Sequence, residues 1–117
     1  LGGKSAVGVD IDEVAVRVAK ENADANGVSD KVQFHAGDLA EKVSGKFNLV
    51  TANIVADVII RLVPDLDRFL TDDGVFIASG IIDSREQDVL DALTEAGYRL
   101  IRREESGGWV ALSVQRV

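Results

Sequence analysis

The chain has 117 residues, of which 46% are hydrophobic and 28% charged, and its net charge is −7. These values are typical of one globular domain with a modest core. The acidic balance argues against a nucleic-acid-binding face, which normally shows a basic patch. The chain has no cysteine, which excludes disulfides, thiol catalysis and thiolate metal sites. No apolar run approaches the roughly 18 residues needed to span a bilayer. A cytoplasmic protein with no membrane contact and no direct nucleic-acid contact is therefore expected.

The first part of the chain alternates between short apolar strands and a helix. A strand is predicted at residues 5–10, where small and branched apolar residues run together. A helix over residues 13–26 follows, because Asp12 can cap its first turn and Asn26-Gly27 can end it. A second strand is predicted at residues 31–36. Strand, helix and strand in this order indicate a parallel pair of strands joined by a helix.

The middle of the chain continues this alternation. A third strand is predicted at residues 47–52, and a helix at residues 55–62 that Pro64 interrupts or restarts. Asp72-Asp73-Gly74 has the composition of a turn. A fourth strand is then predicted at residues 75–79.

The last part breaks the alternation. Ser84 and Gln87 have the spacing of a capping box at the start of a helix, which Gly97 ends. Two strands, 98–104 and 109–115, are then separated by four residues, which is hairpin length. The order predicts a mostly parallel α/β sheet with helices on both faces and a C-terminal antiparallel hairpin. This Rossmann-like pattern resembles the sheet of class I S-adenosylmethionine-dependent methyltransferases.

Two acidic residues follow predicted strands. Asp10 stands where a parallel strand ends, which is the side of an open α/β sheet that binds ligands. Its carboxylate can accept hydrogen bonds from both hydroxyls of a ribose, whereas Asp12 already suits the helix cap. Asp38 follows the second strand in Gly37-Asp38, where a methyltransferase acid can accept from an adenine amine. A Gly-Asp pair is also a common turn, so both interpretations of Asp38 stay open.

Asn53 ends the third predicted strand, and apolar residues follow it. Its amide oxygen and nearby backbone carbonyls can hold an incoming amine by its N–H groups. They also tolerate the positive charge that develops when the nitrogen attacks a sulfonium methyl. The alternative is a helix N-cap, which asparagine fits well. The two roles can coexist.

Three other conspicuous features are interpreted structurally. His35 is the only histidine, and it has no second ligand at metal spacing, so no metal site is predicted. Glu104-Glu105 is expected to form a solvated surface beside the hairpin turn. Trp109 is expected to pack against the sheet.

Six short segments, in chain order, carry a more specific resemblance. They are Gly8-Val9-Asp10-Ile11-Asp12, Glu21-Asn22-Ala23, Asn26-Gly27-Val28, Ala52-Asn53-Ile54, Ser79-Gly80-Ile81 and Trp109-Val110-Ala111-Leu112. Together they resemble the C-terminal part of the ribosomal protein L11 methyltransferase (PrmA-type) family, over nearly the whole chain. The resemblance implies methyl transfer from S-adenosylmethionine to lysine side chains and an N-terminal amine of a large-subunit ribosomal protein.

The resemblance also assigns site residues. Asp10 and Asn53 match cofactor-contacting positions of the family, Ile11 belongs to the same set, and Asp38 is a looser match. Asn53 also lies where the acceptor amine must approach, which makes it the candidate catalytic residue.

The sequence departs from the family pattern at its start. The family's catalytic domain begins with a strand, a glycine-rich loop and a helix, and here the sequence starts after all three. Residues 1–117 are therefore expected to form one partial methyltransferase domain, without the N-terminal part of the catalytic domain and without a substrate-recognition domain. The family's first strand lies between the strands predicted here at 5–10 and 47–52. Its absence either leaves two bare apolar edges, which invite self-association, or forces those strands together.

The glycine-rich loop would hold the methionine part of the cofactor by close backbone approach. The chain alone is therefore expected to bind S-adenosylmethionine poorly and to be inactive. Two other functions stay open. One is a class I methyltransferase with a small-molecule or RNA acceptor, and the other is a non-enzymatic α/β module that binds partners through its sheet edges.

Overall fold

The computed structural model describes residues 6–10, 17, 18, 20, 21, 32–36 and 45–117, with the backbone alone for 32–36. These residues contain a six-stranded sheet with the order β2-β1-β3-β4-β6-β5. Its strands are β1 Ala6–Asp10, β2 Val32–Ala36, β3 Phe47–Asn53, β4 Leu70–Ile82, β5 Tyr98–Ser106 and β6 Trp109–Arg116. β1 to β4 pair in parallel and β4, β6 and β5 pair antiparallel. The predicted Rossmann-like α/β class, mostly parallel with a closing hairpin, is confirmed.

β1 lies directly beside β3. Ala6 is opposite Leu49 and Asp10 is opposite Asn53 in the parallel register. Of the two outcomes that the sequence left open, bare edges or direct pairing, the structure has the pairing. Self-association through strand edges stays a prediction.

The helices follow the sequence prediction with small shifts. Residues 17, 18, 20 and 21 are helical, inside the helix predicted at 13–26, and the rest of that prediction lies outside the described residues. Helix α1 spans Ala56–Leu62 and a 3₁₀ turn spans Val63–Arg68, with Pro64 in its first turn. Pro64 therefore restarts the helix in a tighter form. Helix α2, Glu86–Glu95, contacts α1, so both helices cover the same face of the sheet.

The turn predicted at Asp72-Asp73-Gly74 is wrong as an element boundary. β4 runs continuously from Leu70, and these residues form an irregularity inside it. The pairing with β3 jumps from Phe47–Leu70 to Leu49–Val75, so β4 has extra residues at that point. These turn-forming residues lie in a bulge within β4, because β4 pairs with β3 both before and after them.

The predicted capping box is also wrong. Ser84 lies in a 3₁₀ turn, Asp83–Arg85, and α2 begins after Arg85 without a side-chain cap. The Arg85 guanidinium instead donates to Asp88 over 2.8 Å and to Asp57 over 2.6 Å. A bridge between α1 and α2 therefore replaces the local cap.

The hairpin has a tighter turn than its sequence predicted. β5 and β6 extend to Ser106 and Trp109, which leaves only Gly107-Gly108 between them. Both glycines have positive φ angles, 58° and 85°, as a type I′ turn requires.

The core lies between the sheet and the two helices. Its largest fully buried side chains include Phe69, Phe76, Ile59, Leu66, Leu70, Ile81, Leu93 and Leu112. Trp109 is not among them, because 56% of its surface is exposed. Trp109, which the sequence predicted to pack against the sheet, is therefore not a buried core residue. It stands at the start of β6, beyond the last core position.

Hydrogen bonds join the end of the hairpin to the start of β4 and the residues just before it. Arg116 donates to the backbone carbonyls of Thr71, Leu70 and Asp67 over 2.7, 2.9 and 3.2 Å. The hydroxyl of buried Tyr98 donates to the Asp67 carboxylate over 2.5 Å. The Tyr98 hydrogen bond first, and then Arg116, hold the pKa of Asp67 below its usual value.

Candidate functional site

The candidate site lies at the edge where β1, β3 and β4 end. In the register of the sheet Asp10 is opposite Asn53, and Asn53 is opposite Ser79. Parallel strands bring their carboxyl ends to one edge, which is where open α/β sheets bind ligands. Three polar residues therefore stand side by side there.

Asp10 and Asn53 contact each other. The Asn53 side-chain amide donates from Nδ2 to Oδ2 of Asp10 over 2.9 Å. Asn53 is exposed and Asp10 is half-buried. The site therefore presents a carboxylate and an amide oxygen, both hydrogen-bond acceptors, at the surface.

Asn53 does not cap the helix that follows it. The N-cap of α1 is Val55, which makes no side-chain cap hydrogen bond. The backbone around Asn53 is fixed by its neighbours Ala52 and Ile54, which are 0% and 5% exposed. The strand therefore holds Asn53 in place while leaving its side chain at the surface, and the helix-cap interpretation is wrong.

A shallow cleft of about 230 Å³ opens beside these residues. It is lined by Ser79, Gly80, Glu104, Glu105, Ser106, Trp109, Val110 and Ala111. Glu104 is paired with Arg102 over 2.5 Å and Glu105 with Arg103 over 3.1 Å, so both carboxylates are partly neutralised. Sequence reasoning missed this cleft, because it forms only when the hairpin pairs with β4.

The nearest acid on α1 is already engaged. Arg85 hydrogen-bonds Asp57 and holds the pKa of that carboxyl below its usual value. An ionised carboxylate fixed by a guanidinium serves to join the two helices. Asp57 is therefore a poor candidate for a general base.

Some of the sequence predictions fall on other parts of the chain. Ile11 and Asp38 lie outside the described residues, and so does the side chain of His35. Within the described ranges no three His, Cys, Asp or Glu side chains are grouped as metal ligands. Those ranges also contain no helix that is long and apolar enough to cross a membrane.

The sheet order, the closing hairpin and the polar edge at Asp10 and Asn53 together define a class I methyltransferase-type domain. The family model for ribosomal protein L11 methyltransferase (PrmA) matches residues 1–117. The chain therefore belongs to the ribosomal protein L11 methyltransferase family.

Individual relatives agree with this assignment. A curated ribosomal protein L11 methyltransferase from Desulfitobacterium hafniense is 46% identical over 110 residues, covering 94% of this chain and 35% of the relative. The crystal structure of a ribosomal protein L11 methylase from Lactobacillus delbrueckii subsp. bulgaricus is 34% identical, with a TM-score of 0.76, over 97% of this chain and 58% of that chain.

A further solved structure carries a ligand. It is an RNA methyltransferase from Salinibacter ruber in complex with S-adenosyl-L-homocysteine, 25% identical with a TM-score of 0.55, over 93% of this chain and 63% of that chain. Compared with the curated relative from Desulfitobacterium hafniense, the chain spans about a third of that protein's length.

Proposed function

We propose that this chain is the cofactor- and acceptor-binding part of an S-adenosylmethionine-dependent N-methyltransferase that acts on ribosomal protein L11. The acceptors are lysine side chains and an N-terminal amine, and the setting is the cytoplasm. The observation that carries the proposal is that Asp10 and Asn53 both end parallel strands at the same edge of the sheet, the edge where open α/β sheets bind ligands. Family membership supports the reaction class.

The donor and acceptor chemistry of this edge fits the cofactor. Asp10 is a carboxylate, which accepts hydrogen bonds, and ribose hydroxyls are donors of the matching kind. Ile11 and Asp38 would contribute to the same site, as the family resemblance implies. When bound, S-adenosylmethionine supplies a methyl group on a cationic sulfonium.

Asn53 would orient the acceptor. Its amide oxygen accepts a hydrogen bond from the amine N–H, which directs the nitrogen lone pair away from Asn53. The reacting amine must be neutral, and a free lysine has a pKa of about 10.4. Desolvation at the edge of the sheet, next to a cationic group, lowers the pKa of that lysine. Because alignment alone can supply much of the acceleration, the site does not require a strong base.

The domain organisation belongs to the same proposal. Residues 1–117 form a single part of a methyltransferase domain, and the glycine-rich loop and the substrate-recognition region come from elsewhere in the longer enzyme. The length of the relatives supports this, since the match covers 35% of the Desulfitobacterium hafniense protein.

The test uses a chimera in which this chain replaces the segment that it matches in the Desulfitobacterium hafniense relative. Transfer of labelled methyl groups from S-adenosylmethionine to purified ribosomal protein L11 is measured. We expect transfer, and an Asn53→Ala chimera should be about 10²-fold slower, because misplaced reactants lose about that factor. Mass spectrometry of L11 peptides identifies the amines.

Asn48→Ala is the matched control, because Asn48 lies on the same strand at the opposite end and hydrogen-bonds Thr71 over 3.3 Å. It should keep its activity. Transfer that is unchanged by Asn53→Ala contradicts the proposed role of Asn53. A chimera that methylates RNA or a small molecule but not L11 contradicts the proposed acceptor.

A further inference from the structure

β4 carries a bulge at the candidate site. Ala78 pairs with Leu112 and Ile81 pairs with Val110, so Ser79 and Gly80 together oppose the single residue between those partners. Bulges of this kind redirect a strand and are over-represented beside active sites. Here the bulge lies next to Asn53, since Ser79 is the partner of Asn53 in the β3–β4 register.

Gly80 meets two separate constraints at the bulge. Its φ angle is +76°, which favours glycine. A Cβ atom on Gly80 would also lie 2.5 Å from Oδ1 of Asn53 and 3.4 Å from the backbone oxygen of Ile54. Since non-bonded heavy atoms do not approach within 2.5 Å without a shift, a side chain here must displace the Asn53 amide.

Other glycines have the positive φ angle without the close contact. Gly97 has a φ angle of +92°, but a Cβ there would meet nothing within 4 Å. Gly45 and Gly107 also have positive φ angles with open space around them. Among the positive-φ glycines of the described ranges, only Gly80 faces a functional side chain at such short distance. The short distance at Gly80 therefore comes from the position of the Asn53 side chain, and a positive φ angle alone does not produce it.

We propose that Gly80 is a positioning residue for the acceptor amine. The missing side chain leaves room for Oδ1 of Asn53 beside Gly80. The orientation of Oδ1 decides where an amine N–H can bind. This inference rests on the proposed function of Asn53. The inference depends on the pairing of β3 with β4, which sets Gly80 beside Asn53, and it does not depend on β1.

The test compares Gly80→Ala with Gly97→Ala in the chimera described above. Both variants introduce a side chain at positive φ, so both should lower the melting temperature. Only Gly80→Ala should reduce kcat for L11 methylation, by about 10²-fold, because it alone moves the Asn53 amide. In the chain itself, the Asn53 side-chain amide resonances should move in Gly80→Ala and stay in place in Gly97→Ala.

A double variant keeps the proposal testable even if Gly80→Ala folds poorly. Adding Asn53→Ala removes the atom that the new Cβ would meet, so the double variant should be more stable than Gly80→Ala alone. Its activity should be no lower than that of Asn53→Ala. Independent, additive effects of the two substitutions would overturn the proposal.

The two proposals fail in different ways. Absence of methyl transfer to L11 by the chimera overturns the proposed function, and full activity of the Asn53→Ala chimera overturns the role of Asn53 on which the Gly80 proposal rests. Loss of activity in Asn53→Ala, together with equal kcat values for Gly80→Ala and Gly97→Ala, overturns only the positioning role of Gly80.

Discussion

Asn53 donates a hydrogen bond to Asp10 over 2.9 Å, across the ends of two adjacent parallel strands. The contact exists because β1 and β3 pair directly. It brings together the two side chains that the sequence singles out as the ribose acceptor and the amine acceptor. Each would have a separate task in the proposed reaction, and in this chain the two side chains are hydrogen-bonded to each other.

A charge substitution tests this contact. In Asn53→Asp two carboxylates replace the amide–carboxylate pair, so repulsion should lower the melting temperature at pH 7 below that of Asn53→Ala. Acid that protonates either carboxylate removes the repulsion and should remove the difference. Thermal unfolding of both variants at pH 7 and at pH 3 checks this. Equal melting temperatures at pH 7 would show that the two side chains do not meet in solution.

Arg116 should contribute to stability through geometry as well as charge. Arg116→Ala leaves the carbonyls of Asp67, Leu70 and Thr71 without this donor, which should cost about 1–3 kcal/mol. Arg116→Lys should recover little, because an ammonium lacks the planar fork that reaches several carbonyls. Urea unfolding measures both variants, with Arg102→Ala as an exposed control. Full rescue by lysine would favour a role for charge alone.

Acid should weaken the hydrogen bonds that the Asp67 carboxylate accepts from Tyr98 and Arg116. Hydrogen bonds from Tyr98 and Arg116 lower the pKa of Asp67 in the folded chain. A carboxyl whose folded pKa lies below its unfolded value, about 3.9, stabilises the protein above that value. The contribution is lost as the pH falls through the folded pKa. We expect the melting temperature to fall below about pH 4, and less steeply in Asp67→Asn. Parallel pH profiles would contradict the assignment.

Two aromatic residues should respond differently to truncation. Phe76 is 0% exposed, so Phe76→Ala should cost about 3–5 kcal/mol. Trp109 is 56% exposed, and Trp109→Ala should cost below about 1 kcal/mol. Chemical unfolding compares them. A large loss in Trp109→Ala would mean that Trp109 is covered in solution.

The elements that sequence reasoning predicted well are those with strong local patterns. β3, the restart of the helix at Pro64 and the end of α2 at Gly97 each follow from periodicity or from a single backbone constraint. The errors at Asp72-Asp73-Gly74 and Ser84 arise because tertiary partners compete with local preference. β3 keeps β4 extended through a turn-like segment, and Asp57 engages Arg85 at the point where a local cap was expected.

The candidate site divides in the same way. Asp10 and Asn53 stand out in the sequence because each ends an apolar strand. Gly80 and the cleft at Trp109 do not stand out, because their roles depend on the register between β4 and β6 and on distances across strands. Only the assembled sheet shows that Gly80 lies against the Asn53 amide.

The most direct test of the central claim is calorimetric titration of S-adenosylmethionine into three proteins. They are this chain, the Desulfitobacterium hafniense chimera and the chimera with Asp10→Ala. We predict that the chimera binds, that Asp10→Ala weakens its binding at least tenfold and that this chain alone binds weakly. Binding by the chimera that is unaffected by Asp10→Ala would contradict the proposed site.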